Sequence, residues 1–101
     1  MKKFELLIDE EALVDIQQAT NWYNQQLPEL GTRFQAQVIV QINSLKIHYR
    51  GYAVRYKNVR CMLIKKFPYL AHFTIDEING VVQVFAVIHT SRNPKIWLKK
   101  K

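Results

Sequence analysis

The dipeptide Asn79-Gly80 lies between two apolar runs, residues 69–78 and 81–89, and constrains the chain more than any other feature. Both residue types tolerate the positive φ that a two-residue type I′ turn needs, so the stretch reads as a β-hairpin. With Ile78 facing Val81 across the turn, one side pairs Ile75 with Val84, Phe73 with Ala86 and Ala71 with Ile88. That side is wholly apolar and belongs to a core. The other side pairs Asp76 with Gln83, Thr74 with Phe85, His72 with Val87 and Leu70 with His89, a mixture that no core accepts without hydrogen-bond partners. It is therefore expected to be a working surface. A polar coda, His89-Thr90-Ser91-Arg92-Asn93, follows, and Pro94 ends the strand because it has no N–H for a ladder.

Ahead of the hairpin the pattern changes. Residues 4–8 form a short apolar run suited to a first strand, and Asp9 can cap a helix that carries Glu10 and Glu11 in its first turn. Ala12, Ile16, Ala19, Tyr23 and Leu27 then recur at helical spacing until Pro28 stops them. After the connector at 27–31, Leu30, Phe34, Val38, Ile42 and Leu45 repeat the stripe, which predicts an antiparallel helical hairpin. Gly51 marks the change to extended structure. Residues 52–56 read as a short strand or an extended entry, 59–64 as a strand and 65–68 as a turn. The order β-α-α-β-β-β predicts an α+β fold: an antiparallel sheet with the helical hairpin packed on one face and the other face open.

A chain of 101 residues is expected to be one domain, 1–101, able to bury a core without metal or disulfide support. No apolar run is long enough to span a membrane, and acids interrupt the segment after Met1-Lys2-Lys3 too early for a signal-peptide core, so a cytoplasmic protein is expected. Cys61 is the only cysteine, which excludes an internal disulfide and a cysteine-based zinc cluster; it reads as a small buried hydrophobe. His48, His72 and His89 are dispersed without adjacent carboxylates, so neither a metal site nor another cofactor is expected. The net charge is +7, and its distribution is uneven. Six of the eight acids lie in the first 29 residues, whereas thirteen basic residues from Leu30 onward face only Asp76 and Glu77. Such asymmetry suits nucleic acid, a nucleic-acid-bound machine or an acidic protein partner, against the plain alternative of a solvated basic surface.

Several stretches together resemble the RelE/ParE superfamily of bacterial toxins: Asp15-Ile16, Ala19 and Trp22-Tyr23; Leu27-Pro28-Glu29-Leu30-Gly31 and Phe34; Tyr56, Val59-Arg60 and Phe67-Pro68-Tyr69; and Val87 to Pro94 with Trp97. The resemblance covers nearly the whole chain. It implies a growth-inhibiting toxin of a type II toxin–antitoxin system, of the kind associated with plasmid stabilisation, neutralised by a cognate antitoxin. RelE-like members cleave mRNA in the ribosomal A site with basic residues on the open sheet face. ParE-like members inhibit DNA gyrase. Where RelE-like nucleases carry an arginine just after the strand-initial tyrosine, this chain has Leu70, and Cys61, Met62, Leu63 and Ile64 stand where alternating cations would. In-line attack on RNA needs a base, an acid and cations around a phosphate. The departures favour the ParE-like side, with the ribosome and its mRNA as the alternative target and no small-molecule substrate.

For a nuclease, the candidate catalytic residues are His89, Arg92, Lys65 and Arg60, with Lys66 at the same rim and His72 as a further histidine. For partner binding they are Arg60, Leu70, His72, Phe85, Val87, His89, Arg92 and Trp97. Arg92 can hold a phosphate or a carboxylate bidentately, or it can simply pair with Asp76 or Glu77. Arg60 is assigned open-face parity, with an edge charge as its plain alternative. Trp22 and Trp97 read as packing residues, although a rim tryptophan is also a common partner anchor. Phe85, Val87, Leu70, Met62 and Ile64 should leave an apolar strip on the open face for an antitoxin segment to cover.

Overall fold

A computed structural model describes residues 3–92. Its elements are β1 (Glu5–Ile8), α1 (Glu10–Gln26), α2 (Leu30–His48), a 3-10 turn (Tyr49–Gly51), β2 (Val54–Tyr56), β3 (Val59–Leu63), β4 (Tyr69–Asp76) and β5 (Val81–His89). The five strands form one sheet in the order β1-β5-β4-β3-β2. β2 to β5 pair antiparallel, and β1 joins the far side of β5 in parallel, Glu5 beside Val81 and Ile8 beside Val84. The α+β architecture expected from periodicity is present, with the first strand returning to pair with the last. No helix among the described residues is long and apolar enough to cross a membrane.

The helical stripes do what their spacing requires. Ala12, Ile16, Ala19 and Tyr23 of α1 and Phe34, Val38, Ile42 and Leu45 of α2 are buried against Met62, Ala71, Phe73, Val82, Val84 and Val87 of the sheet. Full burial of each large side chain in this set contributes about 1.5–3 kcal/mol relative to exposure. Leu27 is the exception: it lies beyond the end of α1, 55% exposed. Asp9 occupies the cap position of α1, yet its carboxylate accepts from Gln83 Nε2 at 2.8 Å instead of from the helix. At the start of α2, Glu29 takes a left-handed conformation with φ 71°. Asn24 of α1 then accepts the Gly31 N–H at 2.7 Å, so one helix caps the other.

The hairpin forms, but in a different register. Asp76 pairs with Val81, so the loop is residues 77–80 rather than the two-residue Asn79-Gly80 turn. The Asp76 carboxylate accepts from the Ile78 and Asn79 backbone N–H groups and from Asn79 Nδ2, which holds the wider loop in place. Only Gly80 takes a positive φ there, 67°, and Ile78 is left 95% exposed. Phe73 faces Val84 and His72 faces Ala86, with a bulge between the two pairs. Phe85 and Ala86 therefore lie on the same side of β5, and the parity of every later residue is exchanged relative to expectation.

Candidate functional site

The exchanged register redistributes the expected site residues. Val87 pairs with Ala71 on the helix-covered side and is buried, as are Met62 and Ile64; none of the three contributes to an exposed strip. Arg60 faces Phe73 and so also points to the helix side, where its Nη1 donates to the Tyr52 carbonyl at 2.7 Å. Leu70, His72 and Phe85 do lie on the second face, but all are buried there. That face has a small core of its own, built from Val59, Cys61, Leu70, Phe85, Ala86 and Ile88 with Tyr56 packed against it. Trp97 lies outside the described residues. Lys65 and Lys66 are exposed on the β3–β4 turn, Lys66 in the left-handed region with φ 72°.

At the centre of the second face, His72 is fully buried. Tyr56 Oη lies 3.0 Å and Cys61 Sγ 3.4 Å from its Nδ1, a cluster that strand pairing of Cys61 with His72 creates and linear sequence does not show. Burial pushes the Cys61 thiol up to about 11, with Arg55 opposing, and the Tyr56 hydroxyl up to about 12, with Cys61 reinforcing. A thiol so disposed stays protonated and is a poor nucleophile.

His89 and Arg92 come together elsewhere, in a cleft between α1 and the end of β5. Its volume is about 400 Å³, and its walls are Asp15, Gln18, Ala19 and Trp22 of α1 with Tyr69, Val87, Ile88, His89 and Arg92. β1 stops at Ile8, so among the described residues no strand lies beside the outer edge of β5 beyond Val84. α1 fills the gap: Asp15 Oδ2 accepts the Val87 N–H at 3.0 Å, in place of a strand carbonyl. The chain then closes a turn in which Thr90 N–H donates to the Pro68 carbonyl and Arg92 N–H to the His89 carbonyl. His89 is packed edge-on against Tyr69 at 5.1 Å, and its Nδ1 lies 3.1 Å from Ser91 N and 2.8 Å from Ser91 Oγ. Burial raises the Tyr69 hydroxyl above its ordinary value, the Arg92 guanidinium pulls it down and Asp15 pushes it up, so both charges act at this hydroxyl. Trp22, expected to pack, is 54% exposed at the cleft's rim and touches Tyr23 edge-on at 5.1 Å.

Sequence reasoning found His89 and Arg92 but not Asp15, Gln18, Trp22 or Tyr69 as their neighbours. The available signal was that Asp15 and Trp22 are seven residues apart, two helical turns on one face. No group of three or more His, Cys, Asp or Glu side chains among the described residues is placed to hold a metal ion.

No family model matches the sequence, and no curated protein matches it. Solved structures do. A chain of the chromosomal ParDE system of P. aeruginosa superposes with a TM-score of 0.78 at 17% identity, over 90% of this chain and 100% of that one. This protein has the RelE/ParE toxin fold. A mutant of the E. coli toxin RelE in the free state gives 0.65 at 16% identity, over 88% of this chain and 85% of that one. The RelBE2 toxin–antitoxin complex from Mycobacterium tuberculosis gives 0.58 at 16% identity, over 86% of this chain and 98% of that one.

Proposed function

We propose that this chain is the toxin of a type II toxin–antitoxin pair, neutralised by a cognate antitoxin and acting by binding its target, with DNA gyrase as that target. Its fold is shared with the ParDE and RelBE2 chains, which come from toxin–antitoxin systems. One observation carries the choice of binding over mRNA cleavage. Among the described residues, β3, β4 and β5 hold a single cation, Arg60, and it points to the helix side with its guanidinium engaged by Tyr52. The second face, where the resemblance would put a RelE-like nuclease centre, is instead an apolar core. A phosphate in its transition state would find no charge stabilisation from those strands.

The alternative reading, a ribosome-dependent mRNA endonuclease, draws on the placement of His89 beside Arg92 in one cleft. Induced expression followed within minutes by measurements of DNA breakage and message integrity separates the two. Breaks with intact message are the expected result. Truncated message without breaks would replace it with the nuclease, and unimpaired growth with folded protein would leave a non-toxic binding module.

A further inference from the structure

The cleft between α1 and β5 has two chemically different walls. On the α1 side Trp22 presents a half-exposed indole. On the β5 side stand His89 and the exposed Arg92. The Ser91 backbone N–H donates to His89 Nδ1, so that nitrogen carries the lone pair and the proton of the neutral ring sits on Nε2. Edge-on packing against Tyr69 fixes the plane of the ring, and the 89–92 turn brings the Arg92 side chain to the same wall. The one acid in the wall, Asp15, is engaged by the Val87 N–H.

These features narrow the occupant. A cation is disfavoured by Arg92 and by a net charge of +7. A purely apolar ligand would leave the donors desolvated without partners. An aromatic anion suits both walls, and a cleft of about 400 Å³ is of small-molecule size. We propose that the cleft binds a nucleotide, its base stacked on Trp22 and its phosphate received by Arg92 and His89. A free nucleoside monophosphate and one unpaired nucleotide of a single strand present the same chemistry. The site does not depend on the toxin reading; a gyrase inhibitor, a nuclease or a non-toxic module could equally carry it.

The test is titration of the purified full chain with guanosine and adenosine 5′-monophosphate, ribose 5-phosphate, inorganic phosphate and a four-nucleotide RNA. Binding is followed by calorimetry and by the Trp22 indole and His89 ring signals in NMR. Both monophosphates should shift those signals and bind at least about tenfold more tightly than ribose 5-phosphate, because stacking one base contributes a factor of that order. Trp22→Ala should remove that advantage, Trp22→Phe should retain it, and Arg92→Ala should weaken all the phosphates, with thermal unfolding of each variant showing an intact fold. Tighter binding of the RNA than of the monophosphates would identify the strand as the source, and the reverse would identify the free nucleotide. Equal binding of inorganic phosphate and nucleotide, unchanged nucleotide binding in Trp22→Ala, or no shift of either signal at millimolar ligand would overturn the proposal.

Discussion

Gly31 shows how one hydrogen atom in place of a side chain sets the distance between two helices. A Cβ built at this position overlaps the Thr20 carbonyl oxygen and crowds the Asn24 amide, which is itself the cap of α2. Because the obstacle is backbone, Gly31→Ala should separate the helices or break the cap and cost about 1–3 kcal/mol, read as a lower urea midpoint at unchanged slope. Gln41 is the polar counterpart. Its Nε2 donates to the Leu63 carbonyl at 3.0 Å and its Oε1 accepts the Lys65 N–H at 2.7 Å, joining α2 to the end of β3. Cys61 and Tyr56 add a pH dependence whose sign is fixed. Both hold their protons more tightly folded than unfolded, from ordinary values of 9.0 and 10.0 to about 11 and about 12. The folded state thus binds more protons as these groups titrate, and stability falls as pH rises above 9. Cys61→Ala should remove the part of that loss between pH 9 and 11, measured by urea unfolding at a series of alkaline pH values.

At the scale of elements, the decisive arrangement is a short β1 beside a long β5. A bare outer edge of β5 would template strand addition, and α1 prevents it by placing Asp15 on the Val87 N–H. Asp15→Ala leaves that N–H without its acceptor and should cost about 1–3 kcal/mol, while Asp15→Asn, whose amide oxygen can still accept, should recover most of the loss. Comparison of the two variants by chemical denaturation checks this. The helices were legible in the sequence because a 3.6-residue stripe needs only local information, and Ala12 to Tyr23 and Phe34 to Leu45 are buried accordingly. The hairpin was legible as a hairpin, but its register was not. Asp76 captures the loop N–H groups and Phe85 bulges, and each effect depends on a few hydrogen bonds that residue type alone does not rank. The one extra residue at the Phe85 bulge was enough to exchange the faces assigned to Val87 and Ile88. The cleft was only half legible for a related reason: His89 and Arg92 announce themselves as a polar coda, whereas Asp15 and Trp22 reach them only through tertiary packing.

Across the whole molecule, sheet order turns a linear charge bias into a spatial one. Glu5, Asp9, Glu10 and Glu11 belong to β1 and the start of α1 at one edge, while Arg55, Lys57 and Arg60 belong to β2, its hairpin turn and β3 at the other, with β5 and β4 between. The Arg50–Glu77 pair, 2.9 Å apart and exposed at both ends, does little to offset this, because solvent screens it. A molecule polarised across its sheet should meet an anionic surface with the β2 edge first. Reversing charge there, with Arg55→Glu and Lys57→Glu together, should lower retention on heparin and reduce the slope of log affinity for single-stranded DNA against log salt by roughly 1–1.5, since about two phosphate contacts are lost. The same number of reversals at the opposite edge, Glu10→Lys with Glu11→Lys, changes net charge by an equal amount in the other direction but leaves the β2 edge intact. If orientation governs the encounter, that second variant keeps the wild-type salt slope; if only net charge matters, its slope steepens by as much as the first variant's falls.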